Sequence, residues 1–133
     1  MALADDIFAK VSLNAGVAAV LGAGSTCKVY PTIAPPLSVA PYVVWKVIAS
    51  DPQTTHDQEP AGLDDVLIQF SIIGRSALEA RAVRRALRYA IDGATLANGQ
   101  PTIIESEHDQ FDQAVDLYHA ILEVRTFADA LAS

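Results

Sequence analysis

The glycines, the histidines and the single cysteine of this chain are the residues whose spacing could indicate a binding or catalytic site. The first candidate is the segment Gly22–Cys27. Gly22 and Gly24 invite comparison with loops that cradle phosphate groups. A Walker loop ends in Gly-Lys-Ser or Gly-Lys-Thr, which this segment lacks, and a dinucleotide-binding loop needs a further glycine where this chain has Cys27. The segment is therefore interpreted as a structural turn.

The histidines and the single cysteine show no spacing typical of a metal site or a catalytic pair. His56, His108 and His119 match neither a His-x-x-x-His pair nor a paired-cysteine motif, so no metal or cofactor is expected. Cys27 lies close to the apolar residues Val29 and Tyr30, which favours an inert buried thiol. One alternative function stays open, a small enzyme or ligand-binding domain that uses the Gly22–Cys27 loop with His56 or His119.

The charged residues form two blocks of opposite sign. Arginines fall at i, i+3, i+4 and i+7 of one predicted helix, and acidic residues concentrate on a predicted terminal hairpin. Clustered guanidinium groups repel one another unless something acidic lies opposite them. The candidate subunit-interface residues are Arg81, Arg84, Arg85, Arg88, Glu105, Glu107, Asp109, Asp112 and Asp116.

Three interpretations of this pattern are considered. The helix face is simply solvated, or it binds phosphate, which the overall negative charge disfavours. In the third, the arginines of one copy meet the acidic hairpin of the next. Two different patches that complement each other are typical of head-to-tail rings rather than two-fold dimers.

Size and composition narrow the class of protein. A chain of 133 residues, 51% of them apolar, suits one domain at residues 1–133 with a substantial core. The net charge of −7 disfavours a general nucleic-acid binder. The sequence has no run of about 18 apolar residues, so no membrane span is expected. Asp5 and Asp6 stand where a signal peptide carries basic residues, and the lone cysteine suits a reducing cytoplasm.

The first half of the chain is predicted to hold two short helices and three strands. The predicted helices are residues 4–11 and 15–21, the second capped by Asn14 and ended by Gly22, and the predicted strands are 28–30, 42–50 and 65–73. The last two strands are expected at the centre of the sheet, with 42–50 covered on both faces. The polar segment 51–63 is predicted to be a projecting loop. Its candidate partner-contact residues are Thr54, Thr55, His56, Asp57, Gln58 and Glu59.

The second half opens with the best helix signal in the sequence. Ser76 and Glu79 form a capping-box pattern before a helix at 77–91. A strand at 102–107, a turn at 109–113, a strand at 115–127 and a frayed tail at 128–133 follow. This order predicts an α+β fold in which a mostly antiparallel sheet carries a main helix on one face, together with short N-terminal helices.

Short phrases spread over residues 4–127 make the chain resemble one family, the tail-completion or tail-terminator proteins of long-tailed bacteriophages and related prophage-like particles. The most distinctive are Val-Tyr-Pro31 and the Ala40-Pro-Tyr-Val-Val run. The others are Val20-Leu-Gly22, Val66-Leu-Ile-Gln-Phe-Ser71, Ser76-Ala-Leu-Glu-Ala80 and the Ala-Val-Arg-Arg-Ala-Leu run at 82–87.

The resemblance implies a structural virion protein without enzymatic activity or cofactor. It would form a ring, commonly a hexamer, at the head-proximal end of the tail after synthesis in the host bacterial cytoplasm. The ring would cap the tube of major tail protein, end its growth and offer a surface to the head–tail connector. An acidic chain suits a channel through which DNA passes without specific binding.

Overall fold

The structure, a computed structural model, describes residues 3–22, 27–32, 34, 39–54, 60–93, 102–112 and 117–128. Within these ranges the chain forms three helices and five strands of one sheet, which is the predicted α+β arrangement. In chain order the elements are α1 (Leu3–Ser12), α2 (Ala15–Leu21), β1 (Val29–Pro31), β2 (Tyr42–Thr54), β3 (Pro60–Gly74), α3 (Ala77–Ile91), β4 (Ile103–Asp112) and β5 (Leu117–Ala128).

Side-chain caps start α2 and α3 where the sequence predicts them. Asn14 Oδ1 accepts a 3.1 Å hydrogen bond from the N–H three residues further on, and Gly22 ends α2 with a φ of 96°. Ser76 Oγ accepts a 3.1 Å hydrogen bond from the N–H of Glu79. The Glu79 carboxylate reaches back to the backbone N–H of Arg75 at 2.9 Å. Both helix starts therefore have acceptors for N–H groups that lack a partner within the helix.

The sheet has the order β1-β2-β3-β5-β4, which places β3 at its centre. Only β1 and β2 run parallel, and the remaining neighbours are antiparallel. The prediction that segment 42–50 is central and covered on both faces is wrong. Because β1 is three residues long and pairs only with Val43–Trp45, β2 meets no described strand on its outer edge from Lys46 onward. The side chains of Val47 and Ile48 are exposed there.

The core lies on the face of the sheet that carries the helices. Alternate residues of β3 and β5 point to this face, because successive side chains of a strand alternate between faces. They pack against the apolar stripe of α3 and are joined by α1 and α2. The core includes Val66, Ile68, Phe70, Ile72, Ala120, Leu122, Val124, Ala80, Val83, Leu87, Ile91, Ile7, Val11, Val17 and Leu21.

The segment predicted as a loop at 51–63 is largely strand. β2 runs on to Thr54, β3 begins at Pro60, and these two residues pair across the hairpin. Proline is tolerated here because an edge strand has no outer neighbour that needs its N–H. Residues 51–54 and 60–65 are called the β2–β3 ribbon below. The candidate contact residues 55–59 lie outside the described part of the chain.

The terminal hairpin also differs from its predicted boundaries. β4 continues to Asp112, so the turn predicted at 109–113 begins inside the strand. The pairing of β4 with β5 extends this far because Asp112 still faces Leu117. β5 includes Ala128, the first residue of the predicted frayed tail, and residues 129–133 lie outside the described ranges.

Gly74 ends β3 immediately before α3 and leaves no room for a side chain. A Cβ on Gly74 would lie 2.8 Å from the backbone N of Ala80 and 3.0 Å from its Cβ. Since backbone atoms of a packed helix must move to relieve this contact, we expect Gly74→Ala to lower the free energy of unfolding by about 1–3 kcal/mol. Urea denaturation followed by circular dichroism measures the change.

Gly16→Ala is the matched control for this substitution. The added methyl group would meet only side-chain atoms, Asn14 Oδ1 at 3.2 Å and Ala86 Cβ at 4.0 Å, and it removes a glycine from α2. We expect the free energy of unfolding of this variant to be no more than about 0.5 kcal/mol below that of the unmodified protein. Equal losses in both variants would contradict the steric argument at Gly74.

Candidate functional site

The core stripe of α3 sets the direction of its arginines. α3 packs over β3 and β5, and β4 lies next to β5 on the side toward which one flank of α3 points. Arg81, Arg84 and Arg88 occupy this flank and reach the helix-side face of β4. The arginines predicted on one helix face therefore meet acidic residues of their own chain.

The ion pairs between α3 and β4 form one connected cluster. Arg84 holds the middle, with Nη1 at 2.5 Å from Asp109 Oδ1 and Nε at 3.6 Å from Glu107 Oε1. Its Nη1 also donates to the carbonyl oxygen of His108 at 3.0 Å. Arg81 Nε lies 3.1 Å from Asp109 Oδ2, and Arg88 Nη1 lies 2.8 Å from Glu107 Oε2. Each carboxylate thus bridges two arginines, which removes much of the repulsion between them.

The cluster keeps Asp109 ionised. Burial alone would raise the pKa of Asp109, but the hydrogen bonds and positive charges of Arg81 and Arg84 outweigh it and lower the pKa below its ordinary value. Arg84 has the least exposed side chain of the three arginines, at 16%. Ion pairs exposed to water contribute little, so we assign most of the stabilisation to Arg84.

The remaining candidate interface residues are placed elsewhere. Glu105 lies where the register of β4 shifts, and it pairs with Arg125 of β5 at 3.4 Å, away from the α3 cluster. Asp112 lies at the end of β4, and Asp116 is outside the described ranges. Arg85 is exposed, and it has no ion pair or hydrogen-bonding partner among the described side chains.

Two grooves flank Arg85 on the outer surface of α3. A basic groove of about 480 Å³ lies on the β4 side and is lined by Arg81, Arg84, Arg85, Arg88, Tyr89, Asp92 and Glu107. An apolar groove of about 460 Å³ lies on the α2 side. Its lining residues are Gly16, Val20, Leu78, Ala82, Ala86 and Tyr89, with Arg81 and Arg85 along its edge.

The apolar groove exposes two large side chains, Leu78 at 80% and Tyr89 at 73%. This surface was not predicted from the sequence. The signal was present as a second stripe on α3, at positions 78, 82, 85 and 89, which follow the i, i+4, i+7 and i+11 spacing of one helix face.

Cys27 and His119, two residues of the alternative enzymatic site that the structure describes, lie on opposite sides of the sheet. Cys27 belongs to the core on the helix side of the sheet, and burial raises the pKa of its thiol, which disfavours a nucleophilic thiolate. His119 precedes the buried Ala120 and therefore points to the other face. Residues 23–26 and His56 lie outside the described ranges. Nowhere in those ranges do three or more His, Cys, Asp or Glu residues form a group able to hold a metal ion.

Comparison with known proteins decides the family. Residues 5–129 match the family described as Tail completion protein gp17, a span that runs from α1 through β5. The chain belongs to this tail completion family. No curated protein sequence matches it. The resemblance inferred from the sequence is confirmed, and the protein is a structural tail protein and not an enzyme.

A solved structure shares the fold of this tail completion protein. A chain of the structure described as "Virion of native gene transfer agent (GTA) particle" superimposes with a TM-score of 0.69 at 21% sequence identity. The match covers 95% of this chain and 93% of that chain, so the whole α+β fold is shared. None of the helices in the described part of the tail completion protein is long and apolar enough to span a membrane.

Arg84 and Arg85 are neighbours with opposite environments, so they form a matched pair for measurement. We expect Arg84→Ala to lower the free energy of unfolding by about 1–3 kcal/mol, because it leaves two carboxylates with fewer charged hydrogen bonds. Arg85→Ala should change it by less than about 0.5 kcal/mol, because this side chain has no partner to lose. Urea denaturation at neutral pH compares the two variants.

The difference between the unmodified protein and Arg84→Ala should depend on pH. The pKa of Asp109 is lower in the folded than in the unfolded chain, so its ionised form stabilises the fold above the unfolded pKa of about 3.9. That contribution disappears as the pH falls through the folded pKa. A difference that persists undiminished at about pH 2 would contradict the assignment to Asp109.

Proposed function

We propose that this chain assembles into a ring, a hexamer, that caps the finished tail tube, ends its polymerisation and presents a surface to the head–tail connector. The observation that carries the proposal is the family match, which spans the fold from α1 through β5. The shared fold with a chain of a gene transfer agent virion supports a place within an assembled particle. The partners are then the major tail tube protein and the connector, and the location is the head-proximal end of the tail, after synthesis in the host bacterial cytoplasm.

The distribution of charge supports a ring over a two-fold dimer. The chain has a net charge of −7, yet one surface of α3 carries an unpaired arginine beside a basic groove. Different patches that complement each other generate head-to-tail contacts, which close into a ring when the rotation allows it. The same acidic balance keeps DNA from adhering as it passes through the channel.

The subunit interface is assigned to the α3 arginines and to the acidic residues of the terminal hairpin. Arg81 and Arg88 use few of their N–H groups within the chain and stay half exposed, and a guanidinium has five such donors. They are free to donate to a second copy while they hold Asp109 and Glu107. Glu105 and Asp112 complete the proposed interface on the β4 side of α3, and Arg85 takes part in it on the α2 side.

Tube length and electron microscopy test the proposal. Adding the purified chain to polymerising major tail protein of the same genome should shorten the tubes and place a ring at one end. Light scattering should give a ring mass six times that of one chain, free in solution or released from the tubes. Tubes of unchanged length without added density at either end would contradict the proposal.

Residues 54–59, where β2 leads into β3, are proposed to contact the tube or the connector. Replacing residues 55–59 with Asn-Gly, a pair that forms a tight hairpin turn, should leave the ring intact because β2 and β3 keep their pairing. The shortened ring should no longer sediment with tail tubes or with connector. A matched control replaces residues 55–59 with five Gly and Ser residues, which separates loss of length from loss of side chains. Binding that survives both changes would refute this role.

A further inference from the structure

The exposed stripe of α3 at positions 78, 82, 85 and 89 has the mostly apolar composition typical of a protein contact surface. The apolar groove is lined by the exposed Leu78 and Tyr89 and by the small residues Gly16, Ala82 and Ala86. Small residues beside large apolar side chains let another polypeptide approach the helix closely. Covering such a groove with a second surface lowers the free energy of the assembly, because the apolar atoms are removed from water.

The positive charge at the edge of the apolar groove determines which kind of surface can bind there. Four arginines line the adjoining basic groove against Glu107, Asp109 and Asp92, which leaves one positive charge in excess. Arg85 carries that excess, because no described residue pairs with it. The occupant is therefore acidic as well as partly apolar.

The β2–β3 ribbon of the same chain has this chemistry. It contains three acidic residues, Asp51, Asp64 and Asp65, and no lysine or arginine, and it also includes Leu63 and two prolines. Asp51 faces Asp65 across the two strands, and Asp64 is the next residue along. Like charges at directly opposite positions destabilise a strand pair unless a cation lies near them.

The ribbon lies at the opposite end of β3 from α3's first turn. β3 begins at Pro60 in the ribbon and ends at Gly74, and α3 starts at Ala77 directly after it. The core residues of α3 cluster with Val66, Ile68, Phe70 and Ile72 in the body of β3. The two surfaces are separate on one chain, which suits contact between copies.

We propose that the ribbon of one copy docks on the α2–α3 surface of the next copy, with Arg85 beside the facing pair Asp51 and Asp65 and with Leu78 and Tyr89 covered. The inference rests on the proposed function, since it specifies how copies join within the ring. Because the ribbon and the groove are different patches, every copy uses both, and the contact repeats head to tail.

Charge reversal tests the electrostatic part of the contact. Arg85→Glu should weaken association of the copies by about tenfold or more in sedimentation over a concentration series. Combining Asp51→Arg and Asp65→Arg with Arg85→Glu in one chain should restore association, because every junction regains opposite charges. Lys46→Glu makes the same change of charge on the opposite face of the sheet and should alter association by less than about twofold. Circular dichroism checks that each variant folds.

The possible outcomes of the charge reversal distinguish failure of the docking contact from failure of the ring. If Arg85→Glu leaves association unchanged, or the triple reversal associates as weakly as Arg85→Glu alone, the docking contact is refuted while the ring itself stands. If the unmodified chain forms no oligomer in solution or on tail tubes, the proposed function and this contact both fall.

Photo-crosslinking tests the position of the contact independently of charge. Tyr89 is exposed, so a benzophenone amino acid at this position leaves the core intact. Trypsin cuts after Lys46 and Arg75 and at no residue between them, so the whole hairpin is recovered in one peptide, residues 47–75. We expect the assembled oligomer to yield a crosslink between position 89 and peptide 47–75 of another copy. Crosslinks to other peptides alone, or none in an oligomer that forms, would overturn the proposal.

Discussion

Burial of one face of β3 is the constraint from which the other features of the fold follow. Val66, Ile68, Phe70 and Ile72 are inaccessible to solvent, and β3 has a partner along both of its edges. A strand in this position needs a cover for its apolar face, and α3 supplies it with Val83 and Leu87. Gly74 and the Ser76 cap then bring the chain from the end of β3 directly into the covering helix.

The position of α3 decides which charged residues meet. Once the apolar stripe of α3 faces β3 and β5, one flank overhangs β4 and the other faces α2. Arg84 on the first flank lies between two carboxylates, whereas Arg85, the next residue, faces solvent. A hydrophobic requirement thereby divides one arginine cluster into an internal stabilising network and an unpaired residue available for assembly.

Much of this fold was predictable because its strongest signals are local. The caps at Asn14 and Ser76 act through hydrogen bonds to N–H groups a few residues away, and the core stripe of α3 repeats with the helical period. The β2–β3 ribbon was missed because its prolines and acidic residues are typical of loops. Its strands persist because hairpin pairing needs hydrogen bonds only along one edge. The central position of β2 was wrongly predicted because its apolar character gives no information about the length of β1.

The sequence by itself determined the positions of the helices, the α+β class and the family, since these follow from local periodicity, capping and short motifs. It also supplied arginines and carboxylates in separate blocks. Only the tertiary structure decided that Arg84 meets Glu107 and Asp109 of its own chain and that Arg85 does not. The reason is that ion pairing depends on distances of a few ångströms between residues more than twenty positions apart. Packing of α3 on the sheet sets those distances, and no sequence spacing encodes them.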